Sequence, residues 1–346
     1  MKKIRAIGLL SGGLDSIIAA HLLLDQGVEV EGLFISTGFC HMETRLRSPR
    51  KKDMEKEIKN HVFRAGKNLD IPIRIINVGD DYLEIIKNPL WGRGSSFNPC
   101  VDCRIYMLKI AADIMRREKF SFVFTGEVIS QRPMSQMKGT LNLIEKESGL
   151  TGLLLRPLSA GLLLETIPEK KGWIDRNKLL DIYGRGRKRQ VAMAKSYGIE
   201  DYPSPSGGCC TLTDPNLKNR YRALFRIRRN DAITVEDLQL IPIGRHFLLP
   251  GKSILIVGRE ELENHHLGLF KDNRVYIDGT RLPGPAALMV GRFDEHNLGL
   301  ALRIVARYVK NSASSCQTFK VTLPDGRVEA IKALPLPDEE ASAFLL

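Results

Sequence analysis

Two rhythms of apolar and polar positions run along this chain. Up to about residue 200, short apolar runs alternate with longer segments whose apolar residues recur every three or four positions. "IRAIGLL" (4–10), "VEVEGLFIS" (28–36), "IPIRIINV" (71–78), "FSFVFTGEV" (120–128) and "GLLLRPLSA" (152–160) read as strands. Between them "DSIIAAHLLLDQG", "RKKDMEKEIKNHVFRAGKNL" and "CRIYMLKIAADIMRREK" read as helices. Strands that are apolar nearly throughout, alternating with helices, imply a parallel sheet covered on both faces. "DYPSPSGGCCTLTDP" is dense in turn formers and breaks the pattern. "NLKNRYRALFRIRRNDAITVEDLQLI" reads as a basic helical link. Beyond it the rhythm changes to short strands between glycines and prolines, a closing helix "DEHNLGLALRIVARYVK", and a hairpin around Asp325–Gly326. The expected fold class is therefore α/β, a parallel doubly wound sheet, with a smaller C-terminal α+β domain. The boundaries are 1–215, a basic linker at 216–240, and 241–346.

The first strand meets the first helix through "SGGLDS", residues 11–16. Glycines let the backbone turn and come close to an anion. The N–H groups and dipole of the helix start then face that anion, and Ser11 and Ser16 add hydroxyls. Asp15 beside a phosphate implies a bound cation or a helix-capping role. No G-K-[ST] follows, so this is not a Walker-type loop. A glycine-rich turn without a ligand is the plain alternative. The stretch resembles the SGGxDS signature of the PP-loop ATP pyrophosphatases, whose fold is of the adenine-nucleotide α-hydrolase type. That resemblance implies ATP cleavage between the α and β phosphates and adenylation of a carbonyl oxygen. It places ATP on Ser11, Gly12, Gly13, Asp15 and Ser16, with Mg²⁺ near Asp15. Strand ends at Phe34, Ser36, Gly126 and Glu127 would frame the adenine and the target base.

Charge and cysteines change the picture further. The 346 residues carry a net charge of +12, which points to a polyanionic partner such as nucleic acid. The six cysteines include one C-x-x-C (Cys100, Cys103) and one adjacent pair (Cys209, Cys210), with Cys40 and Cys316 single. In a chain with no span-length apolar run and no signal-peptide pattern, expected to be cytoplasmic, this pattern favours metal, cluster or redox chemistry over structural disulfides. The helix after "NPCVDC" is expected to lower the thiol pKa values through its dipole. Three thiolates could hold a [4Fe–4S] cluster with one iron open. Four ligands would suit zinc, and a metal-free redox pair remains open.

"NPCVDC" with a later cysteine and SGGLDS upstream resembles the tRNA thiolation enzymes, the 2-thiouridine and 4-thiouridine synthetases. "FTGEVISQRPMSQ", "LLLRPLSA" and "CCTLT" resemble segments of the latter, and the likeness covers about residues 4–215. It implies that ATP adenylates a uridine carbonyl oxygen and that sulfur replaces it. The sulfur would come from a cluster sulfide on Cys100, Cys103 and Cys210 (or Cys209), or from a persulfide on those thiols. Free sulfide or a persulfide carrier such as a cysteine desulfurase would be the donor, and tRNA the substrate. SGGLDS starts at residue 11, so the THUMP and ferredoxin-like parts usual in that family do not stand before it, and RNA is expected to be gripped elsewhere. "GRHFLL", "IVGREELENHHL" and "RLPGPAALMVG" resemble the NFACT RNA-binding domain, with Arg245, His246, Arg259 and Arg281 as phosphate contacts. "RLRSPRKK" (45–52) and "GRGRKR" (184–189) are further basic runs. Competing readings are a 2-thiouridine synthetase, a PP-loop ligase or sulfur-incorporating enzyme acting on a small molecule, and a non-catalytic RNA-binding factor.

Overall fold

The computed structural model describes residues 3–39, 64–199, 202, 209–229, 232–279, 284–309 and 315–346. They divide after Cys209 into two compact units. Cys40, Arg281 and the basic run 45–52 lie outside the described residues.

The first unit is built on strands β1 (Arg5–Leu9), β2 (Glu29–Ser36), β3 (Ile73–Asn77), β4 (Phe122–Thr125) and β5 (Leu154–Leu155). They form one sheet in the order β3-β2-β1-β4-β5, with every pairing parallel. The order reverses at β1, which pairs with both β2 and β4. In such sheets the crevice beyond the carboxyl ends of the two strands at the switch point is where ligands bind. Here those ends are Leu9 and Thr125.

Among the described residues, helices α1 (Leu14–Leu24), α2 (Gly79–Lys87), α3 (Cys100–Arg117), α4 (Lys138–Glu147), α5 (Ile167–Lys170) and α6 (Lys188–Ser196) accompany the sheet. Residues 64–69 are also helical. In α1, Leu14, Ile17, Ile18, Ala19, Ala20, Leu22 and Leu23 are all buried, which is why its sequence shows a broad apolar face. The strands and the helices α1 and α3 follow the expected pattern. The helices α2 and α4 were not foreseen. They bury only Tyr82, Leu83 and Ile86, and only Leu141 and Ile144, too few to show a period.

The second unit begins with α7 (Lys218–Ile227) and α8 (Val235–Gln239), which occupy the stretch expected as a linker. Its sheet is antiparallel, in the order β11-β10-β8-β9-β7-β6. The strands are β6 (Arg245–Leu249), β7 (Ser253–Val257), β8 (Val275–Gly279), β9 (Ala287–Gly291), β10 (Gln317–Thr322) and β11 (Val328–Ala333). Helices α9 (Glu261–Leu269), α10 (Glu295–Arg307) and α11 (Asp338–Ser342) complete it. The β10–β11 connection is the hairpin expected at Asp325–Gly326, closed by Leu323 N–H on the Arg327 carbonyl at 2.8 Å. Among the described residues no helix is long and apolar enough to cross a membrane.

His246, expected on the surface as a phosphate contact, is instead fully buried in β6. Its position in "RHFLL" alternates with Arg245, and the strand's core face takes the imidazole. Nε2 meets the Ile243 carbonyl at 2.9 Å, and Nδ1 has no partner. Burial, helped by the charge of Arg220, lowers its pKa to about 3 from 6.5. The unfolded chain therefore takes up a proton below pH 6.5 that the folded chain refuses. Stability of the second unit falls as pH drops from 6.5 toward about 3, with a slope of up to about 1.4 kcal/mol per pH unit. Amide-exchange protection of β6 and β7 at pH about 7 and about 5 checks this, with His246→Leu expected to flatten the difference. Equal slopes in the two proteins would remove His246 from the acid response.

Candidate active site

The SGGLDS stretch leaves β1 at Leu9 and enters α1 at Leu14. Gly12 has φ 71°, the left-handed region where a side chain is strained. Gly13 is the N-cap of α1, and no side chain caps the helix. Inside the loop, Ser16 Oγ donates to the Gly13 carbonyl at 2.8 Å, and Gly13 N–H reaches Ser11 Oγ at 3.3 Å. Asp15 Oδ2 accepts from Gln131 Nε2 at 3.0 Å, while Oδ1 is buried without a partner. A carboxylate oxygen so placed is short of a hydrogen bond or a cation.

The segment after β4 presses directly on this loop. A Cβ at Gly126 would stand 2.6 Å from the backbone of Asp15 and Ser16. Backbone cannot give way as a side-chain tip can, so position 126 requires glycine for this approach. Glu127, next in sequence, is 2% exposed. Arg156 Nε lies 3.2 Å from its Oε2 and Arg104 Nε 3.5 Å from its Oε1. Thr125 Oγ1 also donates to Oε2, at 3.2 Å. Arg156 is itself 2% exposed and reaches Glu145 on α4 at 3.0 Å. Burial works against the charge of Arg104, but Glu127 and the neighbouring thiols raise its pKa further, so it stays a cation. The same segment then bends through Ser130 (φ 60°) and Met134 (φ 76°), two side-chain-bearing residues in left-handed backbone. Such strain persists where surrounding contacts over-determine it.

Cys100 opens α3 and Cys103 lies one turn on. Asn98 Nδ2 donates to Cys100 Sγ at 2.9 Å. Asp102, between them, accepts from Leu90 N–H at 2.8 Å and from Trp91 N–H, pinning the preceding loop. The helix start was expected to acidify these thiols, but the structure overturns this. Burial raises the pKa of Cys100, and it pushes Cys103 up to about 12. The desolvation of a thiolate here exceeds what the dipole and Arg104 return. A negative charge on Cys209 would raise both thiol pKa values further and favours the cation of Arg104, so Cys209 stands within electrostatic reach of all three. Cys210 belongs to the second unit, where its carbonyl accepts from Thr213 Oγ1 at 2.6 Å. Among the described residues, no group of three or more His, Cys, Asp or Glu side chains is placed to hold a metal ion.

Of the remaining expected residues, Ser36 ends β2, and Phe34, 5% exposed, lies two residues back in the buried sheet. In the second unit Arg259 is paired with Glu263. Arg245 and Arg307 flank the Tyr308 ring, at 4.8 and 5.3 Å from its centroid. Sequence reading did not name Arg104, Arg156, Gln131 or Arg187 as site residues, although Gln131 and Arg156 stand in segments that carry the family resemblance, Arg187 in the basic run 184–189, and Arg104 directly after the C-x-x-C.

A parallel switch-point sheet with an uncapped SGGLDS helix start is a PP-loop-like fold. Residues 2–166 match the family described as thiamine biosynthesis protein (ThiI), and residues 244–345 match the NFACT protein RNA binding domain. The first unit is thus similar to the ThiI family and the C-terminal part of the chain to the NFACT RNA-binding domain. It is 32% identical over 99 residues to the tRNA-specific 2-thiouridylase MnmA 2 of Clostridium botulinum (strain Loch Maree / Type A3), covering 27% of this chain and 25% of the relative. It is 28% identical over 133 residues to a probable tRNA sulfurtransferase of Clostridium perfringens (strain SM101 / Type A), covering 38% of this chain and 31% of the relative. The chain thus spans about a quarter to a third of these relatives' lengths. Among solved structures, a 4-thiouridine synthetase–RNA complex with bound ATP aligns at TM-score 0.34 and 21% identity, covering 69% of this chain and 51% of that one. A predicted subunit of tRNA methyltransferase from Methanocaldococcus jannaschii aligns at TM-score 0.39 and 15% identity, covering 68% and 91%.

The buried charge chain makes a test independent of any ligand. Glu127→Gln leaves two arginines facing an uncharged amide and is expected to cost roughly 3 kcal/mol. Arg104→Gln alone is also destabilising. The double variant is expected to cost less than the sum of the two. Urea unfolding of the four proteins measures this, and strict additivity would mean that Arg104 and Glu127 do not interact.

Proposed function

We propose that this protein is an ATP-dependent tRNA sulfurtransferase that makes 4-thiouridine. The observation that carries the reading is the segment from Gly126 to Gln136. It touches the phosphate loop through Gly126 and Gln131, and the cysteine site through Glu127 and Arg104. Met134 Sδ also faces Asn98 Nδ2, at 3.8 Å. One short stretch thus joins a nucleotide cradle to a pair of thiols, as a reaction that activates with ATP and finishes with sulfur requires. The match of residues 2–166 to the ThiI family supports the same chemistry.

In this reading Ser11, Gly12, Gly13, Ser16 and the first N–H groups of α1 hold the triphosphate. The unpartnered Asp15 Oδ1 suits a Mg²⁺ ligand, and the ion would offset phosphate charge. Ser36 and Gly126 line the strand ends where adenine and uridine enter. The uridine O4 attacks the α-phosphorus and pyrophosphate leaves, with the N3 proton passing to solvent. This converts a carbonyl oxygen into an AMP leaving group.

The expected cluster on Cys100, Cys103 and Cys210 or Cys209 finds no three-ligand arrangement among the described residues, so no step is drawn through one. Sulfur transfer runs through the thiols. A donor protein delivers a persulfide to one cysteine, and its outer sulfur attacks C4 as AMP departs with the oxygen. A second thiolate then attacks the inner sulfur, releasing 4-thiouridine and leaving a cysteine disulfide. A dithiol reductant returns the two thiols. Cys100, Cys103 and Cys209 are the participants, because those three interact electrostatically. In the second unit, Arg245 and Arg307, braced on Tyr308, grip the RNA backbone, in keeping with the NFACT match.

Nucleoside analysis of tRNA from a deletion strain is expected to show loss of 4-thiouridine. Wild type and Cys210→Ser restore it, whereas Asp15→Asn, Cys100→Ser, Cys103→Ser and Cys209→Ser do not. Unchanged thiouridine in the deletion strain would refute the activity, and loss of 2-thiouridine instead would move the target atom. Brown visible absorbance in anaerobically purified protein, lost in Cys100→Ser, would replace the persulfide route with a cluster.

A further inference from the structure

Of the chain's eight tyrosines, Tyr183 alone is exposed, at 67%. Tyr82 and Tyr106 pack on one another, Tyr197 stacks on His21, and Tyr221 is fully buried. One exposed aromatic is ordinary on a protein surface. Tyr183 differs in how firmly its backbone is held and in what it stands beside.

Tyr183 makes a parallel bridge with Ile129, inside segment 126–136. Gly184 N–H donates to the Ile129 carbonyl at 2.8 Å, and Ile182 N–H to the Leu158 carbonyl at 2.8 Å. The fully buried hydroxyl of Ser159 locks these strands of chain together. It donates to the Ile182 carbonyl at 2.6 Å and accepts from Ile129 N–H at 3.1 Å. Extended backbone turns successive side chains to opposite faces. Ile182, 3% exposed, goes into the core, and Tyr183 faces outward. Glu127, the partner of Arg104, lies two residues before Ile129, and Gln131, the partner of Asp15, two after. The ring is therefore braced on the segment that joins the phosphate loop to the thiols.

The ground beside the ring is open and cationic. Gly184 (φ 82°) and Gly186 follow it, and a Cβ at either would meet nothing within 4 Å. Residues 184–189, GRGRKR, hold four cations. Arg187 turns to Asp15 at 3.8 Å, and Arg189 pairs with Asp181 at 2.7 Å. Arg185 and Lys188 stay exposed. An outward ring with cations beside it suits unpaired nucleic acid, whose bases stack on aromatics while cations track the backbone. Tyrosine offers a large flat face and loses little rotamer freedom.

We propose that Tyr183 is the stacking platform for the base that flanks the target uridine in the RNA, with Arg185 and Lys188 on the adjoining phosphates. This rests on the tRNA reading above. An enzyme that works on a base inside a structured RNA takes that base out of its stack, at a cost. A ring that replaces the lost neighbour offsets part of that cost and keeps the strand splayed. Exposure separates the neighbour from the target. A reacting base is shielded from water, whereas the Tyr183 ring stands at the rim. Adenine is the other flat ligand, but its place in this reading is Ser36 at the end of β2, across β1 from β4.

Two measurements on the full chain test this. Tyr183→Trp puts an indole at the position, and its emission is read as the difference from the wild-type chain, which has Trp91 and Trp173. That emission is expected to be quenched by unmodified tRNA transcript and untouched by ATP. Anisotropy of the labelled transcript is expected to show binding weakened about 5- to 100-fold in Tyr183→Ala and Tyr183→Leu, and kept in Tyr183→Phe and Tyr183→Trp. Melting temperature and ATP affinity hold in all four. Equal tRNA affinity in the wild type and Tyr183→Ala overturns the platform and leaves the tRNA reading intact. Full affinity in Tyr183→Leu overturns stacking, and quenching by ATP alone assigns the ring to adenine instead. A wild-type chain that does not bind the transcript removes the tRNA reading together with the platform. Tyr183-dependent binding by a protein whose deletion leaves thiouridine unchanged supports the platform and removes only the sulfurtransferase reading.

Discussion

A carboxylate shut away from water must be neutralised where it stands, and Glu127 imposes that condition on the first unit. It ends up nearly inaccessible because Gly126 has brought the chain against the backbone of α1. Two guanidiniums answer it from different directions. Arg104 comes from the cysteine helix α3, and Arg156 comes from the segment after β5, in turn held by Glu145 of α4. One buried charge thus ties the phosphate loop, the thiols and two helices into a single arrangement. Removing any partner leaves the others desolvated and unpaired, which is costlier than the pairs are stabilising.

The same charge chain bears on the cysteines. Burial alone would make Cys100 and Cys103 poor nucleophiles, and it is the largest influence on both. Arg104 opposes it, and Glu127 pairs with Arg104 beside the thiols. A thiol kept protonated is protected from stray oxidation. A cation beside it eases formation of the thiolate when a reaction partner arrives. Protection and latent reactivity then come from one pairing.

What the sequence made legible was local. SGGLDS is contiguous, so its turn, its helix start and its anion-facing geometry could be argued from six residues. The parallel sheet was legible because its central strands β1 and β4 are buried almost throughout and read as apolar runs. The features that were not legible depend on residues far apart in the chain meeting in space. Arg156 lies 29 positions from Glu127, and Arg187 172 from Asp15. The helix-dipole argument for acidic thiols failed because position in a helix is visible in sequence and depth of burial is not. His246 failed for the same reason, since a strand's core face accepted an imidazole in "RHFLL". The pair Cys209–Cys210 could not be resolved by spacing either, because the division between the two units falls between them.

Helices α1 and α6 start side by side, with Arg187 Nη2 3.8 Å from Asp15 Oδ2, and the same electrostatic constraint applies at their positive ends. A fold does not gain stability by aligning two positive helix ends, stripping both of caps and burying an unsatisfied glutamine beside them. Each of these costs stability. The strained backbone at Ser130 and Met134, on the segment that reaches Asp15 through Gln131, belongs with them. Local rules of helix capping, charge placement and backbone conformation are broken together around a single carboxylate. These departures share one place in the fold, the carboxyl ends of β1 and β4 beside the SGGLDS turn, where local folding rules have yielded to long-range contacts.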